Sequence, residues 1–220
     1  MATVVFDLDG TLADTSGDLI AAANACFRDM EHGDLLDPVK DAGTAVRGGR
    51  AMLRLGFGRL GRDDEQEVDR NYPRLLHFYE QAIDRYTVIY PGAMEAVEEL
   101  RRTGYKVAIC TNKPEALARQ LMQSLGVLDV FGSLVGAGTC SVNKPYAEPL
   151  LHAVREAGGD PQNCLLVGDT VTDRETSRAA GVPSVLVTFG PGEEDVHALE
   201  PEATIGHYRE LQGVVDGLLR

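Results

Sequence analysis

At 220 residues the chain is long enough to bury a full core, and it fits one large domain or one domain carrying an inserted module. Its 34 acidic against 21 basic side chains leave a formal net charge of -13, a field that repels nucleic acid and anionic membranes and admits an anionic ligand only where the sign is inverted locally. No apolar run approaches a membrane span, and Cys26, Cys110, Cys140 and Cys164 lack any Cys-x-x-Cys spacing, so a cytoplasmic protein with reduced thiols is expected.

The β-branched and aromatic segment Thr3-Val4-Val5-Phe6 predicts a buried strand of a parallel sheet. Residues two apart on a strand share a face, so Asp7 and Asp9 project together past its end while Leu8 turns into the core. Gly10 permits the sharp exit. Leu19, Ile20, Ala23, Phe27 and Met30 then recur at helical spacing, with Thr15 or Ser16 as N-cap and Asp18 in the first turn. Helical patterns return over residues 47–60 and 63–85, the second bent or restarted at Pro73. No strand is expected between residues 15 and 85.

From Thr87 the pattern alternates. A helix carrying Ala93, Met94, Val97 and Leu100 ends at Gly104, and residues 105–110 read as a strand. Pro114 opens a helix through Leu117, Leu121 and Leu125 that Gly126 terminates. A weaker strand around Leu134, a helix through Leu150 and Val154, a strand at 164–167, a helix at 174–180 and a strand at 184–187 follow. Strands alternating with helices imply right-handed crossovers. The expected fold is α/β: a doubly wound, mostly parallel, Rossmann-like sheet with an all-helical cap domain inserted after its first strand. Residues 1–14 and 88–220 form the core in this reading, and residues 15–87 the cap.

Ligands of such sheets bind beyond the carboxyl ends of the strands. The first strand delivers Asp7 and Asp9 there, and the strand ending at Cys110 delivers Thr111, Asn112 and Lys113. Lys144-Pro145 follows the third, and Gly168-Asp169-Thr170 with Asp173 follows the fourth. Two carboxylates held together ionise comfortably only around a cation or a proton. One edge thus collects acids, a hydroxyl and a lysine, a set suited to metal-assisted phosphoryl chemistry.

These four segments, Asp7-Leu8-Asp9-Gly10-Thr11, Thr111-Asn112, Lys144-Pro145 and Gly168-Asp169-Thr170 with Asp173, resemble the motifs of the haloacid dehalogenase superfamily phosphatases. The run from Gly10 to Thr15 into Asp18 is similar to phosphoglycolate phosphatases with a small helical cap. The resemblance implies that Asp7 attacks phosphorus and that Asp9 protonates the leaving group and later deprotonates water. It implies Mg2+ held by Asp7, the backbone carbonyl of Asp9, and Asp169. It further implies that Thr111, the Asn112 backbone and Lys144 hold the phosphoryl oxygens, with Asp173 orienting Lys144 or a water beside the metal. Ala147 departs from the family's proline-rich run at this loop, which is read as a change in loop stiffness.

The expected partner is a small phosphorylated metabolite, 2-phosphoglycolate first, with sugar phosphates, pyrophosphate and nucleoside monophosphates as alternatives. A β-phosphoglucomutase-like phosphotransferase is disfavoured because the first cap helix carries no histidine near Leu19. A non-enzymatic, phosphorylation-responsive module is disfavoured by Asp9, since such a signal needs a slowly decaying aspartyl-phosphate. Arg47, in Arg47-Gly48-Gly49-Arg50, is a candidate contact for a second anionic group of the substrate. The Gly-x-Gly-x-x-Gly run at residues 56–61 has no strand before it and is not read as a dinucleotide site. The five histidines show no metal-ligand spacing.

Overall fold

The computed structural model describes residues 1–192 and 195–219. In chain order, β1 (Thr3–Phe6) and β2 (Ala13–Asp14) lead into the helices α1 (Ser16–Asp29), α2 (Ala42–Ala45), α3 (Gly49–Arg59) and α4 (Glu65–Gln81). After β3 (Val88–Ile89) come α5 (Ala93–Arg102), β4 (Lys106–Pro114), α6 (Glu115–Ser124), β5 (Ser133–Ala137) and α7 (Ala147–Glu156). The chain continues with β6 (Cys164–Gly168), α8 (Val171–Ala180), β7 (Ser184–Val187), β8 (Ala203–Ile205) and α9 (Leu211–Leu218). Six strands form one sheet in the order β5-β4-β1-β6-β7-β8, and each neighbouring pair is parallel. β2 pairs with β3 in a separate two-stranded ribbon. The chain divides into two compact units: the sheet unit, which includes residues 1–13, 89–190 and 195–219, and the helical unit, Asp14–Val88 with residues 191 and 192.

Within the sheet unit, β1 is central and buried on both faces, as its unbroken apolar sequence requires. Val5 packs with Ala108, Cys110 and Leu166 against Leu150, Ala153 and Val154 of α7. Phe6, on the other face, meets the Phe131 ring edge-on at 6.3 Å. Phe6 lies opposite Ile109 of β4 on one side and Val167 of β6 on the other. That register sets the site, because the residues following these three positions emerge at one edge of the sheet.

Three expectations need correction. β4 does not end at Cys110 but stays extended to Pro114, with a register shift against β5 between those residues. The Lys113 amide is held by Thr111 Oγ1 at 3.1 Å, and a residue before proline disfavours the helical conformation, so α6 starts only at Glu115. α4 does not restart at Pro73, which lies inside a helix continuous from Glu65 to Gln81. Proline removes a single donor there, and the buried stripe Val68, Leu75 and Tyr79 straddles it, so packing outweighs the local preference. Finally, β8 and α9 extend the sheet unit beyond the last expected element. Their cores are short, Ile205 in one and Leu211 with Val215 in the other, too brief to show a period.

In the helical unit, Asp18 does more than favour the first turn of α1. Its buried carboxylate accepts from the amides of Tyr86 and Thr87 and from Thr87 Oγ1 at 2.8–3.0 Å, tying the start of the unit to its end. Asp18→Ala strands those donors and is expected to lower stability by about 3 kcal/mol, read as an earlier urea unfolding midpoint. An unchanged midpoint would show that the clasp contributes nothing. Thr15 is the N-cap residue of α1, as expected, but its side chain makes no cap bond; Asp14 Oδ1 accepts instead from the Ser16 amide at 3.0 Å and from Ser16 Oγ at 2.6 Å. All four cysteines are free thiols; Cys26, Cys110 and Cys164 are buried, and burial pushes the Cys110 thiol up to about 12. No described helix is long and apolar enough to cross a membrane.

Candidate active site

β1, β4 and β6 end side by side, and the loops after them close on one cluster of charge. Asp7 follows β1 directly, its amide donating to the Val167 carbonyl at 2.9 Å. Asp169 follows β6, and Asp173 stands in the first turn of α8. Carboxylate oxygens of Asp7, Asp169 and Asp173 lie within 4.8 Å of one another, and all three residues are buried. Lys144 enters among them with a side chain only 2% exposed, placing Nζ 2.6 Å from Asp173 Oδ1 and 2.9 Å from Asp7 Oδ1. Glycine at 168 is required for this packing: a Cβ there would come within 2.3 Å of the Asp173 Cβ.

Each acid is oriented differently. Asp173 is fully engaged: Oδ1 takes Lys144, while Oδ2 accepts from Thr170 Oγ1 at 2.7 Å and from the amides of Thr170 and Asp169 at 3.1 and 3.2 Å. Asp169 Oδ1 accepts from the buried Thr11 hydroxyl at 2.8 Å, whereas Asp169 Oδ2 is buried and receives no hydrogen bond from a described residue. Asp9, across the loop, takes the ammonium of Lys113 on Oδ1 at 2.7 Å. Tyr208, from beyond β8, donates to the Thr11 carbonyl at 2.7 Å and fixes the loop that carries Thr11.

The electrostatics follow from crowding in a dry site. Burial, with Asp173 and Asp9 adding to it and Lys144 opposing it, lifts Asp7 from an ordinary 3.8 to about 6. Burial together with Asp173 and Asp7 lifts Asp169 well above the usual carboxylate range. Burial alone would draw the Lys144 ammonium down, but Asp173 and Asp7 outweigh it and hold the lysine charged. Three carboxylates share one ammonium, so the ionised cluster lacks two positive charges.

The haloacid dehalogenase-like hydrolase model matches residues 1–181, a span containing every one of these acids and lysines. The chain belongs to that family. It is 38% identical over 212 residues to the phosphoglycolate phosphatase of Mesorhizobium japonicum, covering 94% of this chain and 92% of that protein. It is 34% identical over 213 residues to the phosphoglycolate phosphatase of Agrobacterium fabrum, covering 94% and 89%. Among solved structures it is similar to a predicted phosphoglycolate phosphatase from Haemophilus somnus, with a TM-score of 0.85, 21% identity and 97% of each chain covered. The chain is accordingly a phosphatase of the haloacid dehalogenase-like hydrolases.

Not every anticipated site residue of this hydrolase joins the cluster. The acids that meet are Asp7, Asp169 and Asp173; the Asp9 side chain turns to Lys113 instead. Thr111 is buried at the bulge of β4, its hydroxyl accepting from the Lys113 amide. The Asn112 side chain holds the backbone of Lys144 from both sides, accepting from its amide and donating to its carbonyl at 3.0 Å. Arg47 lies in the helical unit, exposed, between α2 and α3. Two residues of the site were given no role from the sequence. Thr11 carries the hydroxyl that sets Asp169, and Lys113 is a buried lysine paired with Asp9. Lys113 had a signal: a strand position two beyond the inward-facing Thr111 shares its face.

Proposed function

We propose that the chain hydrolyses small phosphate monoesters with Mg2+, 2-phosphoglycolate first among them, through an aspartyl-phosphate on Asp7. The observation that carries this reading is the charge imbalance of the cluster, in which among the described residues one ammonium faces three buried carboxylates and Asp169 Oδ2 accepts no hydrogen bond. A hard divalent cation fits that donor set, since every offered atom is an oxygen. Asp7 and Asp169 would hold it, and its charge would let Asp7 stay ionised while a phosphate dianion approaches.

The chain's own residues account for the rest. Asp7, held by Lys144, attacks phosphorus, and Asp9 supplies the leaving oxygen with a proton and recovers one from the attacking water. Thr111, the Asn112 backbone and Lys144 receive the phosphoryl oxygens as negative charge builds on them. Asp173 keeps Lys144 extended toward them and takes no part in bond making. Arg47 is the proposed contact for the substrate carboxylate. The substrate class rests on the relatives named above, whose 34–38% identity spans nearly their whole length.

A panel of 2-phosphoglycolate, a hexose phosphate, a nucleoside monophosphate and p-nitrophenyl phosphate, each with and without EDTA, tests the proposal. The expected result is the highest kcat/KM on 2-phosphoglycolate and turnover reduced to background by the chelator. Mg2+ at about a hundredfold over its dissociation constant should also stabilise the chain by about 2.7 kcal/mol in thermal unfolding. Turnover indifferent to EDTA removes the cation from the reading; a preference for another ester removes the substrate.

A further inference from the structure

We propose that Lys113 is a positioning residue that anchors the Asp9 carboxyl beside the acid cluster but outside it, where the leaving group and then the water exchange protons with it. The inference rests on the reading of Asp9 given above and extends it to the residue that aims it. Lysine is rarely buried without a partner, and the Lys113 side chain is only 3% exposed while the paired Asp9 side chain is 15% exposed. Its ammonium reaches Asp9 Oδ1 at 2.7 Å from β4, the parallel neighbour of β1, across 104 residues of sequence.

The backbone is built to put it there. The register of β4 against β5 shifts between Cys110 and Pro114, and such a bulge re-aims the side chains it carries. The Lys113 amide is pinned by Thr111 Oγ1 at 3.1 Å. β5 can approach the bulge only because residue 136 is glycine: a Cβ there would lie 2.8 Å from the Lys113 carbonyl oxygen and 2.6 Å from the Glu115 Cα. The result is a division of labour between two buried lysines. Lys144 serves Asp7 and Asp173, Lys113 serves Asp9, and the acids whose oxygens converge within 4.8 Å do not include Asp9.

The anchored group acts in both half-reactions. In the first, an Asp7 oxygen bonds to phosphorus while the ester P–O bond breaks; its electron pair goes to the leaving oxygen, which takes the proton from Asp9. In the second, water oxygen bonds to phosphorus, its proton returns to Asp9, and the Asp7–phosphorus bond breaks to free the carboxylate and phosphate. An aryl phosphate such as p-nitrophenyl phosphate expels a stable phenolate and needs little of the first proton, whereas an alkyl phosphate needs it fully.

The test compares kcat/KM on 2-phosphoglycolate and on p-nitrophenyl phosphate for Lys113→Met, Lys113→Arg, Asp9→Asn and the Asp9→Asn/Lys113→Met double variant, each checked for folding by circular dichroism. Lys113→Met is expected to lose about 10- to 100-fold more on the alkyl ester than on the aryl ester, within the range that positioned proton transfer supplies. Lys113→Arg should recover part of that difference, and Lys113→Met should add nothing once Asp9 is asparagine. Equal losses on both esters, a loss confined to KM, or a further loss in the Asp9→Asn background overturns the assignment. Should Lys113→Met fail to fold, Lys113→Gln, which also removes the charge, takes its place, and an unbiased Gln variant overturns the assignment. If Asp9→Asn shows no leaving-group bias, the reading of Asp9 falls and Lys113 with it; if Asp9→Asn is biased and the lysine variants are not, Lys113 alone falls.

Discussion

Exchanging Lys144 for methionine is expected to lower stability by about 3–5 kcal/mol at neutral pH and to abolish turnover. Methionine is close to lysine in shape, so the change isolates charge from volume. With the ammonium gone, Asp7, Asp169 and Asp173 face one another in a buried site with no cation from another described residue among them. They can then persist only by taking up protons, which Asp7 and Asp169 are already poised to do. The deficit should therefore shrink as pH falls through about 6, where Asp7 takes up its proton in the folded chain, and be smallest below about 4, where that carboxyl is neutral in the unfolded chain too. Urea unfolding of the metal-free variant and its parent, at neutral and at acid pH, reads this directly. Added Mg2+ should return part of the loss, because a cation can stand in for the missing charge. A variant that unfolds at the parent's midpoint at neutral pH would mean that Lys144 contributes nothing net to the buried cluster.

Much of this site was legible in the sequence, and the reason is geometric. Strand ends in a parallel sheet converge, so acids that terminate apolar runs are assigned to one edge by the sequence pattern. Asp7 and Asp169 are placed by that rule alone, whereas Lys144, seven residues beyond the end of β5, is placed by the resemblance. What the rule does not supply is direction. That Asp9 turns to Lys113 depends on a bulge whose determinants, a threonine hydroxyl and a distant glycine, lie on different elements. Thr11 was visible only as part of a loop, because its bond to Asp169 spans 158 residues. The same limit applies to the fold. Pro73 reads as a bend or a restart until the packed stripe around it is known, and β8 and α9 are too short for periodicity to outweigh their polar neighbours.

Replacing Asp7 by asparagine is expected to end turnover and, unlike most changes at a buried ion pair, to stabilise the metal-free chain at neutral pH. The folded protein raises this carboxyl from 3.8 to about 6, chiefly through burial, so the fold favours its protonated form. A raised carboxyl supports the folded state fully below about pH 4 and ceases to do so as pH climbs through about 6, which makes ionised Asp7 a liability at pH 7. A rise of that size corresponds to about 3 kcal/mol, an upper bound on the gain from removing the charge. Asparagine retains the shape, and Lys144 keeps Asp173 at 2.6 Å, so no ammonium is stranded. Thermal unfolding in EDTA should show the variant above its parent at pH 7 and the two converging near pH 4. Mg2+ should then close or reverse the gap, because the parent offers the cation one carboxylate more. A less stable variant at pH 7, or one that still turns over phosphate esters, would separate the nucleophile from the group that the fold holds under electrostatic load. If both effects appear together, one residue accounts for the reaction and for the stability given up to hold it ready.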